Sequence, residues 1–311
     1  MALNPGGVAA VLLLLAVLAI PYLVERRRAR RRREANRRDA ARWLSENPPG
    51  PPATEEQEAT FLKRLAGLRL PSLQLAAAPD KPIQAAGTRI GGPAWLADGE
   101  AWPCGRDGRP MEFLAQLDFA DLPPLPDYPE AGLLQFFIAR SDSFGADYDD
   151  PARSDVRLIW RSEPPAGGRL HVQGPLDPLA DSSPFLDEAV RAAGRPLSAT
   201  LSSRLPSPDS VAVEQILIEM GLANAANVGD LLDPVEVDEE PPNQFVGGHP
   251  RFVQWDFRKP GFRDEFDRVL LQLDSQNGLI WGDCGWAVFM IRRDDLIARD
   301  FSRVAFHWES S

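Results

Sequence analysis

Cysteine and histidine are scarce in this 311-residue chain, with two of the first and three of the second. Two thiols, Cys104 and Cys284, can pair only once, which excludes a disulfide scaffold and fits a reducing compartment. A metal centre needs three or four ligands at usable spacing, and no HExxH, CxxC or clustered Asp motif is present. Neither GxGxxG nor a Walker pattern appears, so a dinucleotide or nucleotide phosphate cradle is excluded. No metal and no cofactor is expected, and no catalytic residue can be assigned. What the chain has in quantity is proline, 30 residues, which favours turns and strand ends over a helical bundle.

Charge is unevenly spread. Residues 1–54 hold ten Arg against four acids, which leaves 24 basic and 41 acidic residues in 55–311, a balance of about −17. Such a body repels phosphate backbones, so no nucleic acid is expected on it. Its field would favour a basic protein partner.

Val8–Val24 is an apolar run of 17 residues, about 20 with those just before it, near the length that crosses a bilayer as a helix. No basic stretch precedes it and no convincing cleavage site follows, which argues against a removed signal peptide. Arg26, Arg27, Arg28, Arg30, Arg31, Arg32 and Arg33 come directly after. That density holds the arginine side in the cytoplasm, with the N-terminus outside, against anionic headgroups of the bilayer. Residues 1–45 therefore read as a transmembrane anchor with a juxtamembrane helix, and 46–54, with four prolines in Asn47–Pro52, as a semi-rigid linker.

The rest, 55–311, reads as one globular domain containing a duplication. Gly91-Gly92 and Gly247-Gly248 lie 156 residues apart, and so do Leu114-x-Gln116-Leu117-Asp118 and Leu270-x-Gln272-Leu273-Asp274. GLLQFFIARSD from Gly132 then aligns with GWAVFMIRRDD from Gly285. The two copies span about 85–142 and 240–308. Thr54-Glu-Glu-Gln57 is a capping box opening a helix to about Leu68, with Phe61, Leu62 and Leu65 on one face. Strands are expected at Arg89–Ile90, Phe113–Leu117, Gly132–Ala139, Asp155–Trp160, Arg169–Val172, Ala199–Ser203, Leu279–Trp281, Gly285–Ile291 and Val304–Trp308, with a hairpin tip at Arg106–Gly108 and a turn at Asn277-Gly278. A helix capped by Ser183, another over Pro208–Leu222, a mobile acidic connection over 224–242 and a short helical turn over Asp294–Arg299 complete the reading. The fold class is α+β: predominantly antiparallel β with an internal pseudo-twofold duplication and peripheral helices, plus the N-terminal transmembrane helix.

Gly91-Gly92-Pro93, Trp102-Pro103, Gly108-Arg109-Pro110, Phe113–Asp118 and Gly132–Phe137 together resemble the YwqG-like family of bacterial proteins, a domain of unknown function. So do Gly247, His249-Pro250, Gln254, Leu270–Asp274, Trp281-Gly282-Asp283, Gly285 and Asp300-Phe301-Ser302. The likeness spans about 85–308. It departs at Asn243, where relatives often carry His, and at Gly248, where an aromatic is common. It implies a compact β-rich domain, an interaction or immunity role of the kind discussed for family members, and a bacterial inner-membrane location for this anchored form.

Ligand-binding candidates are Gln116, Asp118, Gln272, Asp274, Trp281, Asp283 and His249. The glutamines could face one another across the pseudo-twofold axis, or each could satisfy backbone groups at a strand end. Asp118 and Asp274 could act as a pair or cap turns, and Trp102 and Trp281 could floor a ligand groove or fill the core. Cys284 lacks a partner base that would make it a nucleophile. The leading expectation is a membrane-anchored, cytoplasm-facing protein-binding module without catalysis; the alternative is an enzyme or small-molecule binder with a pocket at the pseudo-twofold interface. Deleting residues 1–45 should move the protein from a carbonate-resistant membrane pellet to the supernatant; recovery of the full chain and the deletion in the same fraction would contradict the anchor.

Overall fold

Thr54 opens the first helix as its spacing predicts. Its hydroxyl accepts from Gln57 N while the Gln57 side chain accepts from Thr54 N, so two otherwise orphaned donors are satisfied reciprocally. The computed structural model describes residues 48–163, 168–208, 210–237, 244–252, 254, 256–258 and 265–310. It places this helix, α1, at Glu55–Ala66 with Phe61 and Leu65 buried. Leu62, expected beside them, is 40% exposed.

Twelve strands follow among the described residues: β1 Leu70–Ala77, β2 Arg89–Ile90, β3 Ala94–Leu96, β4 Glu112–Asp118, β5 Leu133–Ile138, β6 Val156–Arg161, β7 Arg169–His171, β8 Arg195–Arg204, β9 Phe245–Gly247, β10 Arg268–Asp274, β11 Trp286–Ile291 and β12 Val304–Glu309. Helices α2 Glu188–Ala193, α3 Val211–Glu219, α4 Val228–Val237 and α5 Arg293–Ala298 lie between them. β3 and β7 pair as a small ribbon, and the other ten strands form one antiparallel sheet in the order β12-β11-β10-β9-β1-β8-β2-β4-β5-β6.

That order reads alike from both ends, and the registers repeat with it. β4 faces β5 with Gln116 opposite Gln135 and a bulge between Phe113 and Ala115. β10 faces β11 with Gln272 opposite Val288 and a bulge between Val269 and Leu271. Arg161 opposite Leu133 matches Glu309 opposite Trp286. The first copy therefore runs on to Arg161, well past the expected end near 142.

The centre is where the halves interlock. β1 pairs with β9 of the second copy, and β8, which leads the second copy, pairs with β2 of the first. Gln74 opposite Phe245 corresponds to Pro196 opposite Arg89, so the pair Leu75–Ala199 maps onto Leu197–Ala77. Ala76–Ser198 then maps onto itself, and the local twofold axis passes through it.

Six strands lie between β5 and β11, which in a flat sheet would set them roughly 34 Å apart. The rings of Phe136 and Phe289, at equivalent places on these strands, are instead 5.0 Å apart. The sheet has curled into a nearly closed barrel around a core that includes Leu114, Leu117, Leu134, Leu271, Leu273, Trp281 and Phe306. Outside it, the segment after β2 covers Met111, Phe113 and Phe137, and the segment after β9 covers Val269, Val288 and Met290 with Phe252, Phe257 and Phe266.

Glycine sets both turns of the repeat. Gly91, Gly92, Gly247 and Gly248 all have φ between 62° and 77°, which a Cβ would disfavour. A Cβ on Gly132 or Gly285 would strike the carbonyl of Arg161 or Glu309 on the neighbouring strand.

Several expectations need correction. β1 was not anticipated, and β8 is a ten-residue central strand rather than Ala199–Ser203 alone. The helix expected from Ser183 starts after Asp187, whose carboxylate accepts from Ala189 N; Ser183 Oγ accepts from Phe185 N instead. Residues 228–237 of the expected acidic connection are helical. Leu279–Trp281 is no strand: Leu279 bridges to Phe185, and Trp281 turns into the core.

The chain divides into two units, 1–52 with 224–226, and 53–223 with 227–311. In the first, Gly50 N donates to Asn224 O at 2.6 Å. The sheet belongs wholly to the second. Among the described residues no helix is long and apolar enough to cross a membrane. The expected anchor, with Arg26–Arg28 and Arg30–Arg33, lies outside the described residues.

Candidate functional site

The two glutamines do not meet. Gln116 alternates with Ala115 and Leu117, which face the core, so its amide projects from the outer face. There Nε2 donates to Ala85 O at 3.0 Å and Gly87 O at 2.9 Å. Gln272 sits likewise between Leu271 and Leu273; its Oε1 accepts from Arg251 N at 2.9 Å. Four strands separate β4 from β10. Gln116 pins the chain leading into β2 and Gln272 the segment after β9, each within its own half, so the two amides do not line one site.

The carboxylates are placed at turns. Asp118 Oδ1 accepts from Ala120 N at 3.2 Å, and burial pushes its pKa up, helped by Asp121 and opposed by that hydrogen bond. Asp274 accepts from Ser275 N at 2.7 Å and from Gln276 Nε2 at 2.9 Å. Asp283 is exposed, with its N–H on Ser310 Oγ at 2.8 Å. Trp281 is fully buried, 5.6 Å from the Phe144 ring, so it floors no groove. Trp102 donates Nε1 to Met111 O and stacks edge-on against Phe137. Cys104 and Cys284 are exposed free thiols. Among the described residues no group of three His, Cys, Asp or Glu could hold a metal ion.

Buried charge appears where the sequence offered no signal. Glu112, wholly buried, accepts from Arg191 Nε at 2.6 Å, and Arg140 Nε lies 2.8 Å from its other oxygen. Burial pushes the Glu112 carboxyl up, against the pull of both guanidinium groups. Arg191 also donates to Gly174 O and Arg140 to Pro175 O, so the cluster holds down the loop before α2. At the equivalent place in the second half, Asp127 accepts from Arg293 at 2.7 and 2.8 Å and from Arg268 at 3.3 Å. Tyr128 OH donates to Val269 O at 2.7 Å beside it. These are latches between halves. Arg89 is another structural cation: it donates to the carbonyls of Gln84, Ala85, Gly87 and Pro93, and burial lowers its pKa to about 10.

One feature with room for a ligand is the seam where the barrel fails to close. A groove of about 610 Å³ runs along β6, lined by Val156, Leu158, Trp160, Phe301, Ser302 and Val304, with Arg106, Arg157 and Glu100 also in its wall. At one end Ser154 Oγ donates to Phe306 O of β12 at 2.8 Å; at the other, the Trp160 and Phe301 rings are 5.2 Å apart. Asp155 O accepts from Ala139 N. By the alternation of an antiparallel ladder, Val156, Leu158 and Trp160 therefore turn their N–H and C=O groups away from β5. No partner for those groups occurs among the described residues. Glu100 is matched: Arg161 Nη2 donates to both its oxygens, at 2.8 and 2.6 Å. Although partial burial works the other way, these bonds and Ala97 N hold Glu100 below its usual range. The only advance sign of this edge was Val-Arg-Leu-Ile-Trp-Arg itself, a strand with charge on one face.

A pseudo-symmetric, incompletely closed antiparallel barrel with an open edge is the class these features define. A family model described as a domain of unknown function, DUF1963, matches residues 88–310, and the chain belongs to that family. No curated protein matches the chain.

His249 is not among the residues lining the seam; its Nε2 contacts Leu68 O at 2.6 Å. A carbonyl only accepts, so Nε2 carries the proton. Burial, aided by Arg258, Arg268 and Arg204 and opposed by the Leu68 bond, lowers its pKa from 6.5 to about 4. The unfolded ring gains a proton as pH falls through 6.5 while the folded ring stays neutral to about 4. Stability is thus lost across that window and levels off below it. His249→Gln, which keeps a donor for Leu68 O, should lose less stability than wild type between pH 7 and pH 4.5 in urea unfolding; equal losses would contradict this role.

Proposed function

We propose that the chain is a binding module that holds another polypeptide and performs no chemistry upon it. The observation that supports this most is the seam: a strand with unmet backbone groups beside a groove of mixed polar and apolar lining, while Gln116, Gln272, Asp118, Asp274 and His249 are engaged in holding the fold. An added strand would meet the free N–H and C=O groups of β6, the mode by which exposed sheet edges take extended peptides. In this reading the YwqG-like likeness is the finer family assignment. Tandem copying of one unit, followed by exchange of its leading strand, accounts for the palindromic sheet. The apolar run and arginines of residues 1–45 hang the module on the cytoplasmic face of the bacterial inner membrane, with the N-terminus outside. A body of about −17 steers a basic protein toward it, and an immunity-like block of a toxin is one form such binding takes.

Site-specific photo-crosslinking tests the proposal in cells carrying the full chain. A photoreactive residue at Arg157 or Ser302 should yield discrete adducts, and one at Leu201, which is 61% exposed on β8, should yield none. The same adducts from all three positions, or none from any, would refute it.

A further inference from the structure

We infer that the seam takes an extended segment in which apolar residues alternate with polar ones, with an acidic residue opposite Arg157. This rests on the binding-module reading and adds the chemistry of the occupant. Three observations carry it.

The first is the open edge itself. Val156, Leu158 and Trp160 present their backbone to the groove with no partner among the described residues, so a neighbouring strand has a ladder to continue.

The second is the facing of β6. Val156, Leu158 and Trp160 pack toward the core, and Phe301 and Val304 line the far wall. Cross-strand neighbours share a face. Every second residue of an added strand therefore meets the side chains of Val156, Leu158 and Trp160, and the residues between point outward.

The third is charge. Arg157 lies opposite Phe137, whose ring belongs to the outer cluster, so its guanidinium is on the outer face. It is exposed and has no carboxylate partner among the described residues. The other charges of the wall are committed: Glu100 to Arg161, and Arg106 to the carbonyls of Arg153 and Ser154, with Asp155 Oδ2 accepting from Arg106 N. A strand laid on β6 would set one outward side chain beside Arg157, where opposite charge stabilises and like charge destabilises. The seam thus asks for local charge opposite to what the acidic body attracts at long range.

The test uses the full chain in detergent with two end-blocked hexapeptides, Thr-Val-Glu-Val-Thr-Val and its Lys counterpart at the third position. Binding is read by calorimetry, and protection of the Val156, Leu158 and Trp160 amides by hydrogen exchange. The Glu peptide should bind about tenfold more tightly than the Lys peptide, and Arg157→Glu should reverse the order. Leu158→Pro removes an outward N–H without taking a ladder bond from β5. It should abolish both binding and protection; if it unfolds the chain, the Arg157→Glu reversal decides alone. Equal affinity for the two peptides, or no binding by either, would overturn the acidic specification. Protection of β6 with a doubled mass and no peptide would assign the seam to a second copy of this chain, and overturn it too. Crosslinks from Arg157 in cells without peptide binding would sink this inference alone, and loss of both would sink the binding reading with it.

Discussion

The β1–β8 pairing is the constraint on which the structure depends. Neither half owns a complete sheet: β1 precedes the first copy but pairs with β9 of the second, and β8 does the reverse. Backbone groups inside a sheet must be paired, so each half satisfies its innermost strand only by borrowing from the other. The local axis at Ala76–Ser198 and the contact of Phe136 with Phe289 both follow from that exchange. So do the latches at Asp127, Tyr128 and Arg191, each of which ties one copy to a segment sequential with the other.

The same palindrome explains the open seam. With the two lead strands in the middle, β6 and β12 become the sheet's outer edges, and closure would require them to pair about the same axis. The connection from β5 to β6 stands between them. Ser154 takes the Phe306 carbonyl, and Ser143 O accepts from Trp308 Nε1. One carbonyl of β12 is thereby met, while the outward groups of β6 are left open. An unprotected edge is a liability in a soluble protein, and a groove with an apolar wall beside it is the kind of surface a partner strand can fill. Binding at this seam would add a rung to the sheet without disturbing the exchange at its centre.

Much of the architecture was legible because the duplication preserved spacing. The shared 156-residue offset marked the segments that become β4 and β10, though not their bulges, and continuous apolar runs located β5 and β11. β1 was missed because LPSLQLAA carries a proline, a serine and no β-branched residue; it is a strand because neighbours on both sides supply ladders, a tertiary effect that outweighs local preference. β8, RPLSATLSSR, is similarly weak locally, with a proline, three serines and Thr200 as its one β-branched residue. The glutamines were legible as equivalent positions, but which face they occupy depends on the bulge, and the bulge puts them outside the barrel. The groove was not legible at all, since it is made by what fails to pair. Glu112 and Arg191 meet across 79 residues, and no local pattern announces such a contact.

Fragment complementation reaches the central claim most directly. Cut between residues 164 and 167 in a chain lacking residues 1–45, the two pieces should each lack cooperative unfolding alone and regain it when mixed, because the β1–β8 exchange needs both. Two pieces that each unfold cooperatively as monomers, with no gain on mixing, would show that the halves stand independently and that the exchange is not what holds the molecule together.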